Sequence, residues 1–202
     1  MKQGNSVKKK ARKISVVMVM ILILLTNQIG LLFAATDSFS LVDYVTTHEI
    51  SSLVEFNRVL ECCCSMYYEP FYVENEKSFQ ITVDQENETV IVTVLEESSL
   101  TRDTITARAT RKYYSDSGAV AFTVSLEGRF AYTSTASTTL SASGSFSPST
   151  YSLWTSTPTI SSGNFSPALA YAKIYGTATC VMGSQNYSIT LMCDNNGDIT
   201  GN

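Results

Sequence analysis

Hydrophobic and polar residues alternate over 119–133 more regularly than anywhere else in the chain. The apolar residues of one parity are Val120, Phe122, Val124, Leu126, Phe130 and Tyr132. Because successive side chains of a strand point to opposite faces, this pattern predicts a long strand with one buried face. Gly128 interrupts the apolar row, so we expect a bulge or a close backbone approach at that position.

The same alternation predicts further strands on both sides of this stretch. Alternating apolar residues over 79–83 and 90–94 flank a polar turn at 85–88, which indicates a hairpin. Residues 96–101 are expected to form a polar link, and the later strands are predicted at 104–114, 140–146, 151–155, 169–181 and 187–193. Short strands with one apolar face each are typical of an antiparallel β-sandwich. We therefore expect a mainly β fold, with a sandwich domain over 79–202.

Residues 36–78 have a helical pattern in place of the alternation. Thr46 and Glu49 have the spacing of a capping box. The residues that then recur at three- and four-residue intervals are Ile50, Leu53, Val54, Asn57 and Leu60. This predicts a helix over 47–63 that packs on the sheet, followed by a connection to residue 78. Phe56 and Val59 lie off the main stripe, so the alternative is a helix that docks onto a partner.

The first 35 residues have the order of a targeting segment. Six basic residues precede an apolar run that begins at Ile14, and no charged residue occurs from there to Ala35. Basic, apolar and small residues in that order are typical of a secretory signal peptide. The cleavage site is imperfect, because a cut after Ala34 or Ala35 leaves Leu32 or Phe33 where a small residue is preferred.

The alternative for this segment is an uncleaved membrane anchor. As a helix, residues 14–35 would reach about 33 Å, which is enough to cross a bilayer. In both alternatives the basic residues stay inside and the rest of the chain lies outside. We therefore expect a secreted or extracellular protein, or one anchored by 14–35 with its C-terminal part outside. Contact with the membrane is expected only through this segment.

Charge is distributed unevenly along the chain. Six of the 14 basic residues lie before residue 36, and all 18 acidic residues follow it. Without residues 1–35, 8 basic residues stand against 18 acidic ones, and the net charge changes from −4 to −10. A body this acidic repels nucleic acid and anionic lipid surfaces, so nucleic-acid binding is excluded. A chain of 202 residues is long enough for one domain with a sizeable core.

The chain has five cysteines, so one thiol is unpaired if the other four form two disulfides. Cys62, Cys63 and Cys64 are consecutive near the end of the predicted helix. Their side chains diverge by about 100° per residue and cannot all face one partner. The sequence does not decide whether one of these three cysteines forms a disulfide with a cysteine of the sheet. Zinc binding is disfavoured, because the cysteines lack the paired C-x-x-C spacing of a tetrahedral site.

Cys180 and Cys193 resemble a bridge across a hairpin, but the expected register keeps them apart. If residues 183–186 form the turn, Cys180 lies opposite Ile189 and Cys193 opposite Gly176. The offset of four residues is about 13 Å. That exceeds the limit of roughly 7 Å between the Cα atoms of a disulfide. We therefore predict that these two cysteines are not bonded to each other.

Candidate catalytic residues lack the partners that catalysis needs. His48 is the sole histidine, and no serine lies in a G-x-S-x-G motif. Glu96 and Glu97 are adjacent, so on an extended chain they face opposite ways and cannot flank one glycosidic bond. There is also no phosphate-binding loop and no dinucleotide fingerprint. We expect a protein that is not an enzyme and carries no cofactor.

A calcium-binding loop is suggested by Asp194, Asn196 and Asp198, which have the first three ligand positions of such a loop. Ile199 stands where the loop needs glycine, and no closing glutamate follows. A polar turn around Asn196 is therefore predicted. We expect no metal site.

Aromatic residues are the remaining candidates for ligand binding. Tyr171, Lys173 and Tyr175 share one parity of a predicted strand, and Tyr151 and Trp154 lie on a shorter one. Exposed aromatic rings on a neutral polar sheet can form a platform for sugar rings or for a partner protein. The alternative is that these rings pack between the sheets or cover an edge.

Three segments carry a resemblance to a known group of proteins. They are Val124-Ser-Leu-Glu-Gly-Arg-Phe-Ala-Tyr-Thr133, Ser141-Ala-Ser-Gly144 and Ile189-Thr-Leu-Met-Cys-Asp-Asn-Asn-Gly197. Together they resemble small, secreted, uncharacterised β-rich proteins of Gram-positive bacteria. The resemblance implies secretion and a β-fold without implying an activity. It also implies a cysteine just before the Ser-Ala-Ser stretch as the partner of Cys193, but Thr138 and Thr139 occupy that place here.

These patterns together predict an exported, non-enzymatic β-sandwich protein that binds at or outside the cell surface. Its partner would be a cell-surface protein or a glycan. One alternative is a carbohydrate-binding module that uses the exposed aromatic residues. Another is a secreted hydrolase with an unrecognised carboxylate pair, which requires two acids on one concave surface.

Overall fold

Two antiparallel sheets form most of the chain that the computed structural model describes, namely residues 39–63, 68–101, 103–150 and 152–202. The predicted signal or anchor segment, 1–35, lies outside these residues. The fold is thus mainly β, as the alternation predicts. Phe39–Asn202 is one compact unit, and its first strand begins at Glu76, two residues before the predicted end of the connection at residue 78.

Each sheet follows the order of the sequence, so every connection in it is a hairpin. The five-stranded sheet contains β1 (Glu76–Asp84), β2 (Thr89–Thr101), β3 (Thr104–Ser115), β4 (Val120–Thr133) and β5 (Ala136–Pro148). The four-stranded sheet contains β6 (Thr159–Ser166), β7 (Leu169–Cys180), β8 (Gly183–Asp194) and β9 (Ile199–Gly201).

The structure differs from the predicted strands in three places. Residues 96–101 belong to β2, because their backbone pairs with β3, and Glu97 forms an ion pair with Lys77 of β1. Residues 152–155 form no strand and make only one bridge, between Thr155 and Thr179. β6 was not predicted, since its serines and glycine interrupt any apolar alternation.

The two sheets pack face to face around a shared core. The alternation of β4 is confirmed, because Val124, Leu126 and Phe130 are fully buried between the sheets. The second sheet contributes a matching row: Ala170, Ala172, Ile174, Ala178, Tyr187, Ile189, Leu191 and Cys193. Burial of these apolar faces favours the face-to-face arrangement of the sheets.

A bulge in β4 sends two residues of one parity to different cores. Tyr113 pairs with Phe122, whereas Tyr114 pairs with Val120, so Ala121 is the extra residue. Phe122 therefore packs between the sheets, and Val120 packs on the opposite face of the first sheet. An inserted residue shifts the face that a strand presents. The alternation alone had placed both side chains on one face.

Two helices cover this opposite face of the first sheet. They are α1 (Leu41–Thr47) and α2 (Leu53–Cys63), so the predicted single helix over 47–63 is wrong at its start. Ser40 caps α1 by accepting a hydrogen bond from the Asp43 amide at 3.0 Å. At the start of α2, Ser52 Oγ accepts from the Glu55 amide at 3.2 Å, and Glu55 accepts from the Ser51 amide at 2.9 Å. Serine caps at both starts divide the segment in two.

The helices and the first sheet enclose a second core. Phe56 is fully buried and Val59 nearly so, and they pack near Val90, Val92 and Val94 of β2. The docking-helix alternative required Phe56 and Val59 to be exposed, so their burial removes its basis and agrees with a helix that packs on the sheet. The first sheet therefore packs against the second sheet on one face and, over part of the other face, against the helices.

Candidate functional site

Tyr171 and Tyr175 lie together on the outer face of the second sheet. Their neighbours on β7, Ala170, Ala172 and Ile174, are fully buried, so the tyrosine side chains point away from the shared core. Tyr175 is 42% exposed. The structure thus brings together two of the four aromatic residues that the sequence singled out.

Trp154 lies elsewhere, and Tyr151 is outside the described residues. The Trp154 ring centroid is 5.3 Å from that of Phe122, and the indole is half-buried against the shared core. Phe122 points between the sheets, so Trp154 is not on the face that carries Tyr171 and Tyr175. The single platform that the sequence suggested is divided between two surfaces.

A further aromatic ring joins Tyr171 on the outer face. Phe165, at the end of β6, is exposed, and its ring centroid lies 4.4 Å from that of Tyr171 in a stacked arrangement. The hairpin between β6 and β7 brings these residues together. Sequence reasoning missed Phe165 because β6 was not predicted. The hairpin turn at Pro167 was the available signal.

Lys173 lies between the two tyrosines and is the only cationic residue after Arg129. Its Nζ atom lies 5.4 Å from the Tyr175 ring centroid, which is within the range of a cation–π contact. Residues with hydroxyl groups pair with it on both sides, Ser161 on β6 and Thr190 on β8. We call Phe165, Tyr171, Lys173 and Tyr175 the outer aromatic face.

The outer aromatic face has the chemistry of a sugar-binding surface. Aromatic rings stack on the apolar faces of sugar rings, while hydroxyl groups and an ammonium group can bond to sugar oxygens. The stacked Phe165 and Tyr171 rings support each other, which limits the rotamer entropy that a ligand would have to overcome.

Trp154 lines a separate groove of about 870 Å³ at one end of the two sheets. Leu153, Val181 and Met182 also line it and are strongly exposed to solvent. Ala119, just before β4, also lines this groove. We call this surface the end groove. Most of its surface is apolar.

A third surface is polar and lies on the helical side of the first sheet. This polar groove has a volume of about 680 Å³ and is lined by Tyr72, Glu96, Arg108 and Glu127, among others. Glu96 pairs with Arg108 across β2 and β3, and Arg108 pairs with Glu127 across β3 and β4. Two acids therefore share a concave surface, but Arg108 stands between them. Its Nη2 atom lies 2.7 Å from Glu127 Oε2.

The predicted register of β7 and β8 is wrong. Val181 and Met182 form the turn, and Cys180 pairs with Gly183, whereas Cys193 pairs with Ala170. Ten residues of β7 therefore separate the two cysteines, about 33 Å along the strand. Both thiols are free. A two-residue turn replaces the predicted four-residue turn and places the two cysteines at opposite ends of the hairpin.

The remaining cysteines do not complete a site. Cys62 is free and exposed on α2, and the side chain of Cys63 and all of Cys64 lie outside the described residues. Burial, and then the nearby Asp194 carboxylate, raises the pKa of the Cys193 thiol to about 11. A thiol that is buried and protonated at neutral pH is a poor nucleophile.

His48 follows α1 and does not begin the predicted helix. Its ring stacks on that of Tyr44 with 4.2 Å between centroids, and Nδ1 lies 2.9 Å from Thr47 Oγ1. The Thr47 hydroxyl in turn lies 2.8 Å from the Asp43 carbonyl oxygen and donates to it. These contacts end the helix, and they leave the hydroxyl engaged with the backbone.

The predicted calcium-like segment forms a turn between β8 and β9. Asp194 Oδ1 accepts hydrogen bonds from the amides of Asn196 at 2.8 Å and Asp198 at 2.9 Å. The carboxylate thus bonds to the backbone of its own loop. In the described part of the chain, no group of three or more His, Cys, Asp or Glu side chains is arranged to hold a metal ion.

The fold and its surfaces define a class: a mainly β protein of two face-to-face antiparallel sheets, with two short helices on one sheet. No known protein family matches the chain, and neither a curated protein nor a solved structure matches it. None of the helices among the described residues is both long and apolar enough to cross a bilayer.

Proposed function

We propose that this protein is exported and binds glycans outside the cell, through the outer aromatic face and without catalysis. The observation that carries the proposal is the group of aromatic rings on the outer surface of the second sheet. Phe165, Tyr171 and Tyr175 retain solvent exposure there, among residues with hydroxyl groups. Aromatic rings left open on a neutral polar face are typical of a binding surface.

The spacing of the tyrosines favours an extended ligand. Tyr171 and Tyr175 are four residues apart on β7, or about 13 Å along the strand. A ligand that contacts both rings is therefore an oligosaccharide, since a single sugar ring does not reach from one to the other. Lys173 lies midway, so an acidic group or an oxygen-rich segment of the glycan would lie over its ammonium group.

Export is supported by the sequence of residues 1–35, which has the order of a signal peptide. The same residues also have the length and composition of a membrane anchor helix. The proposal holds for either form, because the rest of the chain lies outside the membrane in both.

A binding role without catalysis is supported by the surroundings of the acids and of the histidine. Arg108 stands between Glu96 and Glu127 in the polar groove, so the two carboxylates do not face each other across open space. His48 stacks on Tyr44 in place of activating a nucleophile. A hydrolase of the two-carboxylate type needs both acids to flank the scissile bond.

A glycan array tests the proposal with the native chain and with single tyrosine variants. Tyr175→Ala and Tyr171→Ala should each weaken binding to the recognised glycan about tenfold, since each removes one stacking ring. Tyr72→Ala is the matched control, because Tyr72 is 80% exposed but lies on the polar groove. Trp154→Ala should likewise leave binding unchanged, because Trp154 lies in the end groove.

Each other outcome of the array would contradict the proposal. Loss of binding in Tyr72→Ala alone would move the glycan site to the polar groove. Loss in Trp154→Ala alone would move it to the end groove. If the native chain bound no glycan on the array but bound a cell-surface protein in a separate assay, the partner would be a protein.

A further inference from the structure

The end groove carries strongly exposed apolar side chains on two separate segments. Val181 and Met182 form the turn between β7 and β8 and are 90% and 88% exposed, and Leu153 is 76% exposed. Turn positions are commonly polar, since they lie in water. Three strongly exposed apolar side chains that line one groove indicate a surface that another apolar phase covers.

Covering this surface would bury little charge. No charged residue occurs between Lys173 and Asp194, so the turn and the adjoining halves of β7 and β8 are neutral. Among the described residues that line the groove, Glu69 is the only charged one. Its carboxylate is paired with Lys112 at 2.8 Å. The desolvation that opposes burial of unpaired charges is therefore small here.

The chain enters the domain at this same end. The amide of Leu41 donates to the Asp116 carbonyl oxygen at 2.9 Å, and Ser40 Oγ donates to Asp116 Oδ1 at 2.7 Å. Asp116 lies in the turn between β3 and β4. Ser115 and Ala119, on either side of this turn, line the end groove.

The sequence before Phe39 indicates that this apolar phase is the lipid bilayer. Residues 14–35 are uncharged, and only residues 36–38 separate them from Phe39. Four backbone steps span about 14 Å at most. In the anchored form of the chain, this distance holds the entry end of the domain close to the bilayer surface.

We infer that, in the anchored form of the chain, the end groove rests on the lipid bilayer, with Leu153, Val181 and Met182 in the interfacial region. Trp154, in the same groove, has the amphipathic indole that favours the boundary between headgroups and acyl chains. Contact with the membrane then extends beyond the N-terminal segment to which the sequence had limited it. The outer aromatic face lies on the sheet surface and stays available to a ligand.

Trp154 makes the inference directly measurable, because it is the only tryptophan in the chain. The full chain is reconstituted into phosphatidylcholine vesicles that carry a nitroxide near the carboxyl end or near the methyl end of the acyl chain. We expect quenching of Trp154 fluorescence, and stronger quenching by the shallow nitroxide. Neutral lipid avoids repulsion between the acidic domain and an anionic surface.

Substitutions at the end groove distinguish contact between the groove and the lipid from mere proximity of the domain to the membrane. Val181→Asp and Leu153→Asp should each lower the docking equilibrium about tenfold and reduce the quenching accordingly, since each replaces a buried apolar contact with a charge. Val54→Asp is the matched control, because Val54 is an exposed valine on α2 that does not line the groove. The exposure of the substituted residues makes loss of folding an unexpected result, and circular dichroism checks it.

Three results would overturn the inference. The first is native Trp154 fluorescence that neither nitroxide quenches. The second is equal quenching in all variants, which would mean that the tether alone brings Trp154 near the lipid. The third is concentration-dependent self-association that Val181→Asp abolishes, which would identify a second copy of the chain as the cover. None of these results bears on glycan binding.

Discussion

Lys112 Nζ lies 2.8 Å from Glu69 Oε1, and this ion pair joins β3 to the segment that precedes β1. The Lys112 side chain is only 10% exposed, whereas that of Glu69 is mostly in solvent. Lys112 also donates to the Pro70 carbonyl oxygen at 3.3 Å and lies 5.1 Å from the Phe71 ring centroid. One buried ammonium group thus holds three consecutive residues against the sheet.

The two ends of this pair should respond differently to mutation. Glu69→Gln leaves a nearly buried ammonium group without its anion and should lower the free energy of unfolding by about 1–2 kcal/mol. Lys112→Met should cost less, because it removes the buried charge and leaves an acid that water can solvate. Urea denaturation of both variants measures the difference, and a larger loss in Lys112→Met would contradict it.

An exposed ion pair provides the control for this prediction. Arg108 and Glu127 are 2.7 Å apart, but both side chains are well exposed. Glu127→Gln should therefore change the free energy of unfolding by about 0.5 kcal/mol or less. The change from glutamate to glutamine would then lower stability more at Glu69 than at Glu127, because Lys112 is buried and Arg108 is exposed.

Gly128→Ala should destabilise the shared core. A Cβ atom at Gly128 would lie 2.7 Å from Cζ of Phe130 and 3.1 Å from Cβ of Ala172. Since both neighbours are fully buried, the change should cost about 1–3 kcal/mol, measured as a lower midpoint of thermal unfolding. Gly163→Ala is the control, because its nearest neighbour, the Tyr171 ring, is 3.4 Å away. Equal melting temperatures for the two variants would refute the prediction.

Cys193 should resist alkylation in the folded protein. Burial raises the pKa of its thiol to about 11, whereas the pKa of an ordinary cysteine is 9.0. In the folded chain at about pH 8.5, iodoacetamide should modify Cys62 far faster than Cys193, since the thiolate is the reactive form. Mass spectrometry of the labelled peptides measures both rates. Similar rates would show that Cys193 is open to solvent.

The raised pKa of Cys193 should also make the free energy of unfolding depend on pH in the alkaline range. The folded chain holds the Cys193 proton up to a higher pH than the unfolded chain does, because the folded pKa is the higher one. Its contribution to stability is complete below the ordinary pKa of 9.0 and is lost as the pH rises toward about 11. Cys193→Ala should weaken this dependence in urea unfolding, and an unchanged dependence would contradict the assignment.

Asp84 should make stability depend on acid pH. Hydrogen bonds from Asn87, and then from Gln185, lower the pKa of its carboxyl below the ordinary 3.8. The Gln185 bond, 3.1 Å from Nε2 to Oδ2, also links β1 to β8 across the two sheets. The stability from Asp84 is therefore present above pH 3.8 and is lost as the pH falls through the lowered pKa.

Asp84→Asn measures this contribution. The variant should unfold at lower urea concentration than the native chain at neutral pH, and the difference should shrink below about pH 4. Gln185→Ala should reproduce part of the effect, because it removes one of the donors. A difference between the native chain and Asp84→Asn that is the same at all pH values would exclude the proposed origin.

The candidate surfaces could be predicted only in part. The parity of Tyr171, Lys173 and Tyr175 placed them on one face of a strand, and that relation holds because parity is a local property. Phe165 was missed because its partner is reached only through the hairpin of β6 and β7. Trp154 was grouped with the tyrosines by its position in sequence, yet it packs on Phe122 in another part of the fold.

The sequence by itself determined that the chain is mainly β and which residues of β4 and β8 are apolar on one side. The alternation is a local property of the sequence, so it is present whatever the strand packs against. Only the tertiary structure decided the turn at Val181, the bulge at Ala121 and the division of the helical segment in two. Each of these depends on partners distant in sequence, and a shift of one residue in register exchanges the faces of a strand.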